Sequence, residues 1–421
     1  MAELNAGTLV DLTSGGQIKV VKELGRGGQG IVYLAEYQGH QYALKWYTLK
    51  YPDTFYNNLK FNIEQGAPSK AFLWPLMLTK KQFDSFGYVM QLRPQGYTEF
   101  GDFIMAKAKF NSISAINTAA LKICEGFYYL HLKGFSYQDL NDGNFFINPQ
   151  TGDVLICDND NVSAQGQNTG IMGKARYMAP EIVGGGKPDK YSDYFSLAVM
   201  LFRIFYLDHP FEGKKVLSCP CMDEVNDRKH YGSEALFIFD KDNQANMPVR
   251  GVHKNVIARW PHFTKTLQDA FIEAFSQDQI KNPTRRMMES KWEKIISSLR
   301  NQLIVCSHCS AETFVDLDKP SNCMECGKPL KVNFRIQSNN HGCIALSPQK
   351  NVFLGKSQQP IAVVRINKAD PSVWALQNLS STPWMIETPS GKLKEVAPNE
   401  IMPTKPGLKI TFSQGEKGEI S

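Results

Sequence analysis

Alternating apolar and polar positions characterise residues 17–92, whereas residues 99–300 carry apolar side chains at helical spacing. Four runs in the first stretch have strand character and are separated by glycine-containing breaks: QIKVVKELG, GIVYLAEYQ, HQYALKWYTL and FGYVMQL. Residues 57–65 are the helical candidate among them. In the second stretch, apolar residues recur every three or four positions, as in TAALKICEGFYYLHLKG. The pattern predicts a small β-rich unit followed by a larger helical unit.

The pattern changes near residue 300, where two C-x2-C pairs appear. Beyond residue 332, short apolar runs alternate with Gly, Pro, Asn and Ser, which is typical of strands in a small β-sandwich. The chain is therefore expected to be of the α+β class. Its expected parts are a β-rich unit at 1–92, a helical unit at 93–300, a cysteine module at 301–331 and a β-sandwich at 332–421.

Composition excludes several classes of function but says little about the fold. A chain of 421 residues suits two or three domains of about 150 residues, and 42% hydrophobic with 21% charged residues excludes a disordered or collagen-like chain. The net charge of +6 is spread along the chain, so no nucleic-acid partner is expected. No apolar run approaches the roughly 18 residues of a membrane helix, and MAELNAGTLVDLTSGG lacks the features of a signal peptide. We expect no membrane contact and a cytoplasmic location.

A glycine-rich turn lies between two predicted strands. Gly25, Gly27 and Gly30 form a G-x-G-x-x-G pattern, Val32 follows, and Ala43 and Lys45 lie on the next strand. Glycine lets backbone N–H groups approach phosphates without a Cβ clash. A glycine turn between two strands, with a lysine fifteen residues after its last glycine, is typical of a loop that covers nucleotide phosphates.

A second group of polar residues follows the long helical run. Asp139 is followed five residues later by Asn144, and Asp158 ends the apolar run VLIC fourteen residues after that. A carboxylate can accept a proton from an attacking hydroxyl group, and asparagine and aspartate oxygens can hold Mg²⁺. Met178-Ala179-Pro180-Glu181, Ser192-Asp193 and Arg286 follow in that order.

With these motifs, residues 17–300 resemble a bacterial Ser/Thr protein kinase of the eukaryotic type. The resemblance implies a bilobal protein-kinase fold, with an N-lobe at 1–92 and a C-lobe at 93–300, that uses ATP and Mg to phosphorylate a protein substrate. SYQDLNDGN, ICDNDNVS and HPFEG are similar to kinases encoded beside a TerY-type von Willebrand A protein and a metal-dependent phosphatase. That similarity implies these two proteins as partners.

The resemblance also implies a role for each motif residue. The nucleotide contacts it implies are Gly25, Gly27, Gly30, Val32, Ala43, Lys45, and the hinge residues Gln91 and Arg93. Asp139 is the implied catalytic base, and Asn144 and Asp158 are the implied Mg ligands. Glu181 is expected to pair with Arg286, and Asp193 to brace the catalytic loop.

The chain departs from the family pattern at positions that matter for phosphoryl transfer. Gln138 replaces the arginine that receives an activation-loop phosphate. Ser163 and Thr169 are the hydroxyls expected in the mobile part of that loop, and their phosphorylation should have little effect. Asn141 replaces a lysine that neutralises the γ-phosphate, and Lys174 could supply that charge; a solvated lysine is the alternative. By elimination among the carboxylates between Lys45 and the hinge, Glu64 is the candidate partner of Lys45; because it lies at the end of the predicted helix, an absent or distorted ion pair is the alternative. These departures leave two rivals to an active protein kinase, a pseudokinase scaffold and a small-molecule kinase.

The last two parts of the chain point to a metal and to docking. Cys306, Cys309, Cys323 and Cys326 have the spacing of a structural zinc ribbon, and the other five cysteines are scattered, as in a reducing compartment. The final sixty residues resemble a forkhead-associated domain, with Leu-x-Asn-Leu-Ser before a glycine turn. A docking module is favoured there over a phosphopeptide site.

Overall fold

An antiparallel sheet of six strands forms the N-terminal part of the chain. A computed structural model describes residues 3–167, 173–317, 319–412 and 415–421. The strands of this sheet are β1 (Leu9–Asp11), β2 (Gln17–Arg26), β3 (Gly30–Tyr37), β4 (His40–Tyr47), β5 (Met77–Leu78) and β6 (Gly87–Gln91). They pair in the order β1-β2-β3-β4-β6-β5. Helix α1 (Asp53–Gln65) connects β4 to β5 and begins four residues before the segment that the sequence indicates.

This sheet has a separate apolar core on each face. Because neighbouring residues of a strand point to opposite faces, Leu44 and Trp46 of β4 enter one core, and Ala43 and Tyr47 enter the other. The second core also holds residues of α1, among them Phe55 and Leu59. The same alternation carries Lys45 on the face of Ala43 and Tyr47, where α1 packs.

Helices and short strands make up the region that follows. The helices are α2 (Phe100–Ile104), α3 (Ile113–Leu132), α4 (Pro180–Val183), α5 (Lys190–Tyr206), α6 (Lys214–Leu217), α7 (Glu224–Asp227), α8 (Lys254–Arg259), α9 (Lys265–Ala274), α10 (Gln277–Lys281) and α11 (Glu289–Asn301). The strands are β7 (Thr98–Glu99), β8 (Phe135–Ser136), β9 (Phe145–Ile147), β10 (Val154–Ile156) and β11 (Ser163–Ala164). Helix α5 is buried along nearly its whole length and begins with a capping box between Asp189 and Ser192.

A buried cluster of one histidine and two carboxylates braces the loop that follows β8. His131 Nε2 lies 3.0 Å from Asp193 Oδ2, and its Nδ1 contacts the carboxylate of Glu289. Asp193 also accepts hydrogen bonds from the backbone N–H groups of Tyr137 (2.7 Å) and Gln138 (3.3 Å). Burial alone would lower the pKa of His131, but the hydrogen bonds that its ring donates to the Asp193 and Glu289 carboxylates raise the pKa to about 9. The imidazole is therefore charged at neutral pH.

The C-terminal part is rich in strands. The strands β12 (Leu303–Val305) and β13 (Glu312–Phe314) form a hairpin whose turn holds the first cysteine pair, and the second cysteine pair follows β13. The later strands are β14 (Arg335–Ser338), β15 (Gly342–Ala345), β16 (Asn351–Val352), β17 (Ala362–Ile366), β18 (Trp374–Asn378), β19 (Trp384–Glu387), β20 (Leu393–Val396), β21 (Ile401–Pro403), β22 (Lys409–Thr411) and β23 (Lys417–Ile420). They form sheets ordered β15-β14-β23-β22-β19-β20 and β16-β17-β18-β21, which share one apolar core. The likeness to a forkhead-associated domain stays a prediction.

The chain divides into two compact units. One comprises residues 1–110, 122–249 and 274–289, and the other comprises residues 111–121, 250–273 and 290–421. These units do not follow the four boundaries expected from the sequence, which stay a prediction. Within the described ranges, no helix combines the length and the apolar character that a membrane span requires.

The charged state of His131 predicts a loss of stability at alkaline pH. Its pKa is about 9 in the folded chain against an ordinary value of 6.5, so its contribution to the free energy of unfolding is complete below about pH 6.5 and is lost as the pH rises through about 9. The expected loss is on the order of 3 kcal/mol. The free energy of unfolding of wild type and of His131→Gln, measured from about pH 6 to about pH 10, checks this loss, because a glutamine at position 131 does not titrate. The stability difference between the two should shrink across this range, and a constant difference would contradict the charged cluster.

Candidate functional site

Lys45 is the buried centre of the site. The residue is 4% exposed, and its ammonium group donates to Gln29 Oε1 (2.9 Å), Asp158 Oδ1 (3.1 Å) and Asp160 Oδ2 (2.8 Å). Burial by itself would lower the pKa of this group, but the nearby charges of Asp160 and Asp158 raise it above the ordinary lysine value. Lys45 is therefore a protonated cation held between two carboxylates.

The structure does not bring Glu64 to Lys45. Glu64 is exposed near the end of α1. The carboxylates that the Lys45 ammonium contacts are those of Asp158 and Asp160. The face of α1 that meets the site carries Asn58 and Asn62, whose side-chain amides both donate to the carbonyl of Val162 (2.8 Å each). Residues four apart on a helix share a face, and residues two apart do not, so Glu64 points away from this face.

The two residues expected to bind magnesium lie on adjoining loops. The backbone N–H of Cys157 donates to the carbonyl of Asn144 (2.8 Å), which brings Asp158 next to Asn144. The Asn144 amide group donates to the carbonyl of Asp139 (2.8 Å), and the Asp158 side chain is 42% exposed. Asp158 has a left-handed backbone (φ 52°) and opens a single 3-10 turn, Asn159–Asn161. Oxygen ligands of this kind suit Mg²⁺.

The expected catalytic base is oriented by two asparagines. Asp139 Oδ1 accepts a hydrogen bond from the Asn141 amide (2.9 Å), and its Oδ2 accepts one from the Asn161 amide (3.2 Å). Burial raises the pKa of Asp139 to about 6; the Asn141 hydrogen bond opposes that rise, and the charge of Asp158 adds to it. A carboxylate with a pKa near neutrality is suited to proton transfer.

Lys174 lies beside the catalytic loop. Its ammonium is 3.3 Å from Asp142 Oδ1, and its side chain is 55% exposed. The second oxygen of Asp142 lies 3.5 Å from the buried Arg203 guanidinium. At the preceding residue, a Cβ built on Gly173 would lie 3.2 Å from Asp139 Oδ1, so the backbone before Lys174 passes close to the expected base.

The glycine turn and the expected adenine contacts surround the mouth of the site. A Cβ at Gly30 would lie 2.2 Å from the carbonyl oxygen of Trp46, so this glycine is required by its close approach to β4; a Cβ at Gly25 or Gly27 would meet open space. Val32 and Ala43 belong to the apolar core on the Lys45 face of the sheet. At the end of β6, Gln91 is exposed. The guanidinium of Arg93, just beyond it, lies 3.8 Å from the centre of the Phe146 ring.

Gln138 anchors the segment that follows the 3-10 turn. Its amide nitrogen lies within hydrogen-bonding distance of the hydroxyl groups of Ser136 (3.2 Å) and Ser163 and of the Gln167 carbonyl (2.8 Å). Ser163 is buried in β11, which pairs with β8, so the prediction that Ser163 is a phosphorylatable hydroxyl of a mobile loop is wrong. Thr169, the other hydroxyl predicted for phosphorylation, lies outside the described residues.

Glu181 and Arg286 form a bidentate ion pair below this segment. Both guanidinium Nη atoms donate to the Glu181 carboxylate at 2.7 Å, and the Arg286 side chain is buried. Arg286 also donates to the carbonyl of Tyr191, at the start of α5. Paired planar groups of this kind fix geometry as well as charge, so the ion pair ties the Met-Ala-Pro-Glu motif to α5.

The four paired cysteines converge on a single point. Their sulfur atoms all lie within 4.8 Å of one another, with 3.9 Å between Cys306 and Cys326 and 3.6 Å between Cys309 and Cys323. Tetrahedral ligands at about 2.3 Å from a metal are about 3.8 Å apart, so these separations fit one ion.

The two cysteine loops have matching backbones. Ser310 and Gly327, each four residues after the first cysteine of its pair, have left-handed φ angles of 61° and 70°. Each donates its N–H to the carbonyl of that first cysteine, at 2.9 Å for Cys306 and 3.0 Å for Cys323. The sequence marks only the second turn by a glycine, and the structure shows that both pairs have the same knuckle geometry.

The main residue that sequence reasoning missed is Asp160. Its carboxylate is fully buried and accepts hydrogen bonds from Lys45 and from the Tyr47 hydroxyl (2.6 Å). Two signals pointed to it: the D-N-D sequence carries a second carboxylate, and α1 lacks a carboxylate at mid-helix. Sequence reasoning also missed Asn58, Asn62 and Asn161. A side-chain amide that donates to a single oxygen has no characteristic spacing in the sequence, so no motif marks these residues.

Known proteins resemble the chain over the region that holds this site. Residues 18–292 match the model of the protein kinase domain. The chain is 29% identical over 205 residues to protein kinase C delta type of Rattus norvegicus, a match covering 46% of this chain and 29% of that protein. It is 27% identical over 141 residues to the probable serine/threonine-protein kinase PknB of Corynebacterium glutamicum, covering 32% and 21% of the two chains. It is 23% identical over 214 residues to the serine/threonine-protein kinase PrkC of Bacillus subtilis, covering 48% and 32%. The chain thus matches less than a third of the length of each of these relatives.

Proposed function

The chain belongs to the protein kinase family, and on that premise we propose that it is an active kinase that transfers the γ-phosphoryl group of ATP to serine or threonine hydroxyl groups of a protein. The observation that carries this proposal is the convergence of Lys45, Asp139, Asn144 and Asp158 on one cleft, with the pKa of Asp139 raised to about 6. Relatives named as serine/threonine-protein kinases support the hydroxyl as acceptor.

Each of these residues has a distinct part in the transfer. Lys45 binds the phosphates of ATP, and Asp139 orients the substrate hydroxyl group and accepts its proton. Asn144 and Asp158 would hold Mg²⁺, which when bound neutralises phosphate charge. Asn141 and Asn161 hold the Asp139 carboxylate in place through its two oxygens. Catalysis then rests on positioning and on charge stabilisation.

The two rival functions fit the site less well. A pseudokinase would leave Asn141 without a role, yet this residue donates a hydrogen bond to the expected base. A small-molecule kinase has no need of a platform for a polypeptide. The Glu181–Arg286 ion pair and the contacts of Asp193 with the backbone of Tyr137 and Gln138 support such a platform here.

Incubation with radiolabelled ATP, magnesium and a generic basic protein tests the proposal. Asp139→Asn should lower phosphorylation by roughly two to four orders of magnitude, because it removes the proton acceptor. Asp158→Ala should abolish magnesium-dependent transfer with little change in melting temperature, since its side chain lies at the cleft surface. Glu64→Gln, an exposed carboxylate in the same lobe, serves as the control and should be unaffected. Transfer by either Asp variant at the wild-type rate would refute the mechanism, and an inactive wild type would favour the pseudokinase.

Lys174 is proposed to supply the positive charge that Asn141 lacks. Lys174→Ala should then reduce kcat by roughly two to three orders of magnitude with little change in the KM for ATP, because the charge acts mainly in the transition state. Lys174→Thr should be nearly as poor, and Asn141→Lys combined with Lys174→Thr should recover activity. Steady-state kinetics measure these changes, with the exposed Lys60→Ala on α1 as the control. Near-normal turnover of Lys174→Ala would mean that Lys174 only pairs with Asp142.

We propose that the four-cysteine cluster holds a structural zinc ion. Freshly purified protein should contain one zinc per chain by metal analysis, and Cys306→Ser with Cys323→Ser should abolish it. A chelator should unfold the β12–β13 hairpin and its flanking loops, because about thirty residues cannot bury a sizeable core without metal. The control is Cys221→Ser, which lies outside the cluster and should keep its zinc. Metal-free protein with the same hairpin stability would rule out this role.

The partners of the chain follow from the resemblance alone. The von Willebrand A protein and the metal-dependent phosphatase stay predictions. The two-sheet region at the C-terminus is proposed as a docking module for a protein partner, which its broad apolar core supports as a stable scaffold.

A further inference from the structure

We infer that Asp160 is the carboxylate that positions Lys45 for the nucleotide, in place of a glutamate on helix α1. This inference rests on the proposed kinase function. Asp160 is fully buried, and its Oδ2 accepts hydrogen bonds from the Lys45 ammonium (2.8 Å) and the Tyr47 hydroxyl (2.6 Å). Lys45 and Tyr47 lie two residues apart on β4, so both point to the same face and meet one carboxylate.

The turn that carries Asp160 gives each of its residues a separate partner. Asp158 contacts Lys45 from the start of the turn (3.1 Å). Asn159 donates to the carbonyls of Leu73 (2.9 Å) and Ile156 (3.0 Å), which fixes the turn against neighbouring backbone. Asn161 donates to Asp139. One turn therefore links the lysine, the expected metal ligand and the expected base.

Lys45 has two carboxylate partners. Lys45 contacts Oδ1 of Asp158, the side chain expected to hold magnesium. If Asp158 bound a metal ion, Asp160 would still give Lys45 a buried anionic partner. A buried ammonium needs such a partner, because an unpaired buried charge is strongly unfavourable.

Helix α1 is attached to the same segment without any charge. Asn58 and Asn62 both donate to the carbonyl of Val162, the residue directly after the turn. The carboxylate of Glu64 is exposed. The position of Lys45 is therefore set by the turn and by β4, without a carboxylate from α1.

A double-mutant cycle on nucleotide binding tests this inference. The dissociation constant for ATP is measured without magnesium, by competition with a fluorescent ATP analogue, for wild type, Asp160→Asn, Lys45→Met and the double variant. Asp160→Asn should weaken binding about tenfold in wild type, as expected for loss of a buried charged hydrogen bond. In the Lys45→Met background it should have no further effect, because Asp160 acts through Lys45. Glu64→Gln is the control and should change neither value.

Three outcomes would overturn the inference: unchanged binding by Asp160→Asn, an equal effect of Asp160→Asn in the Lys45→Met background, or a comparable loss in Glu64→Gln. If Asp160→Asn does not fold, Tyr47→Phe takes its place, because it removes the hydroxyl that donates to Asp160. It should weaken binding a fewfold in wild type and not at all in Lys45→Met. A wild type that binds ATP but transfers no phosphoryl group would refute the proposed function while the binding cycle still decides the role of Asp160.

Discussion

A buried ammonium group must have anionic partners close by, and the arrangement of the site follows from this constraint on Lys45. Strand β4 carries the lysine inward on the same face as Tyr47, where solvent cannot compensate its charge. The partners come from a turn more than a hundred residues later in the chain. The pairing therefore fixes the sheet against the turn. The same segment also holds Asp139 through the amide of Asn161 and contacts α1 through the carbonyl of Val162.

Much of this arrangement can be predicted from local sequence patterns. Alternation along β4 places Lys45 on the inner face, and the five-residue spacing of Asp139 and Asn144 puts both on one loop. Each C-x2-C pair predicts a short turn that brings its own two sulfur atoms together. In each case the relevant geometry is set within a few residues, or within one repeat of a strand.

The partner of Lys45 and the state of Ser163 depend on contacts between distant segments. Elimination among the carboxylates between Lys45 and the hinge leads to Glu64, whereas the buried partner Asp160 lies far beyond the hinge in the sequence. Ser163 reads as a loop hydroxyl, since a strand of two residues leaves no alternation to recognise; pairing with Ser136 buries it. In the sequence Gln138 shows only the loss of an arginine, because the neutral contacts of its amide leave no charge pattern.

The amide of Gln138 also bears on whether the segment needs a phosphate to be held in place. An arginine at that position would hold its segment only after a phosphate had been added. The held state would then last until a phosphatase removed the phosphate. The Gln138 contacts form with folding itself and persist without any covalent mark. At this contact no phosphate is needed to hold the segment, so the rate of the proposed kinase would not depend here on earlier phosphorylation.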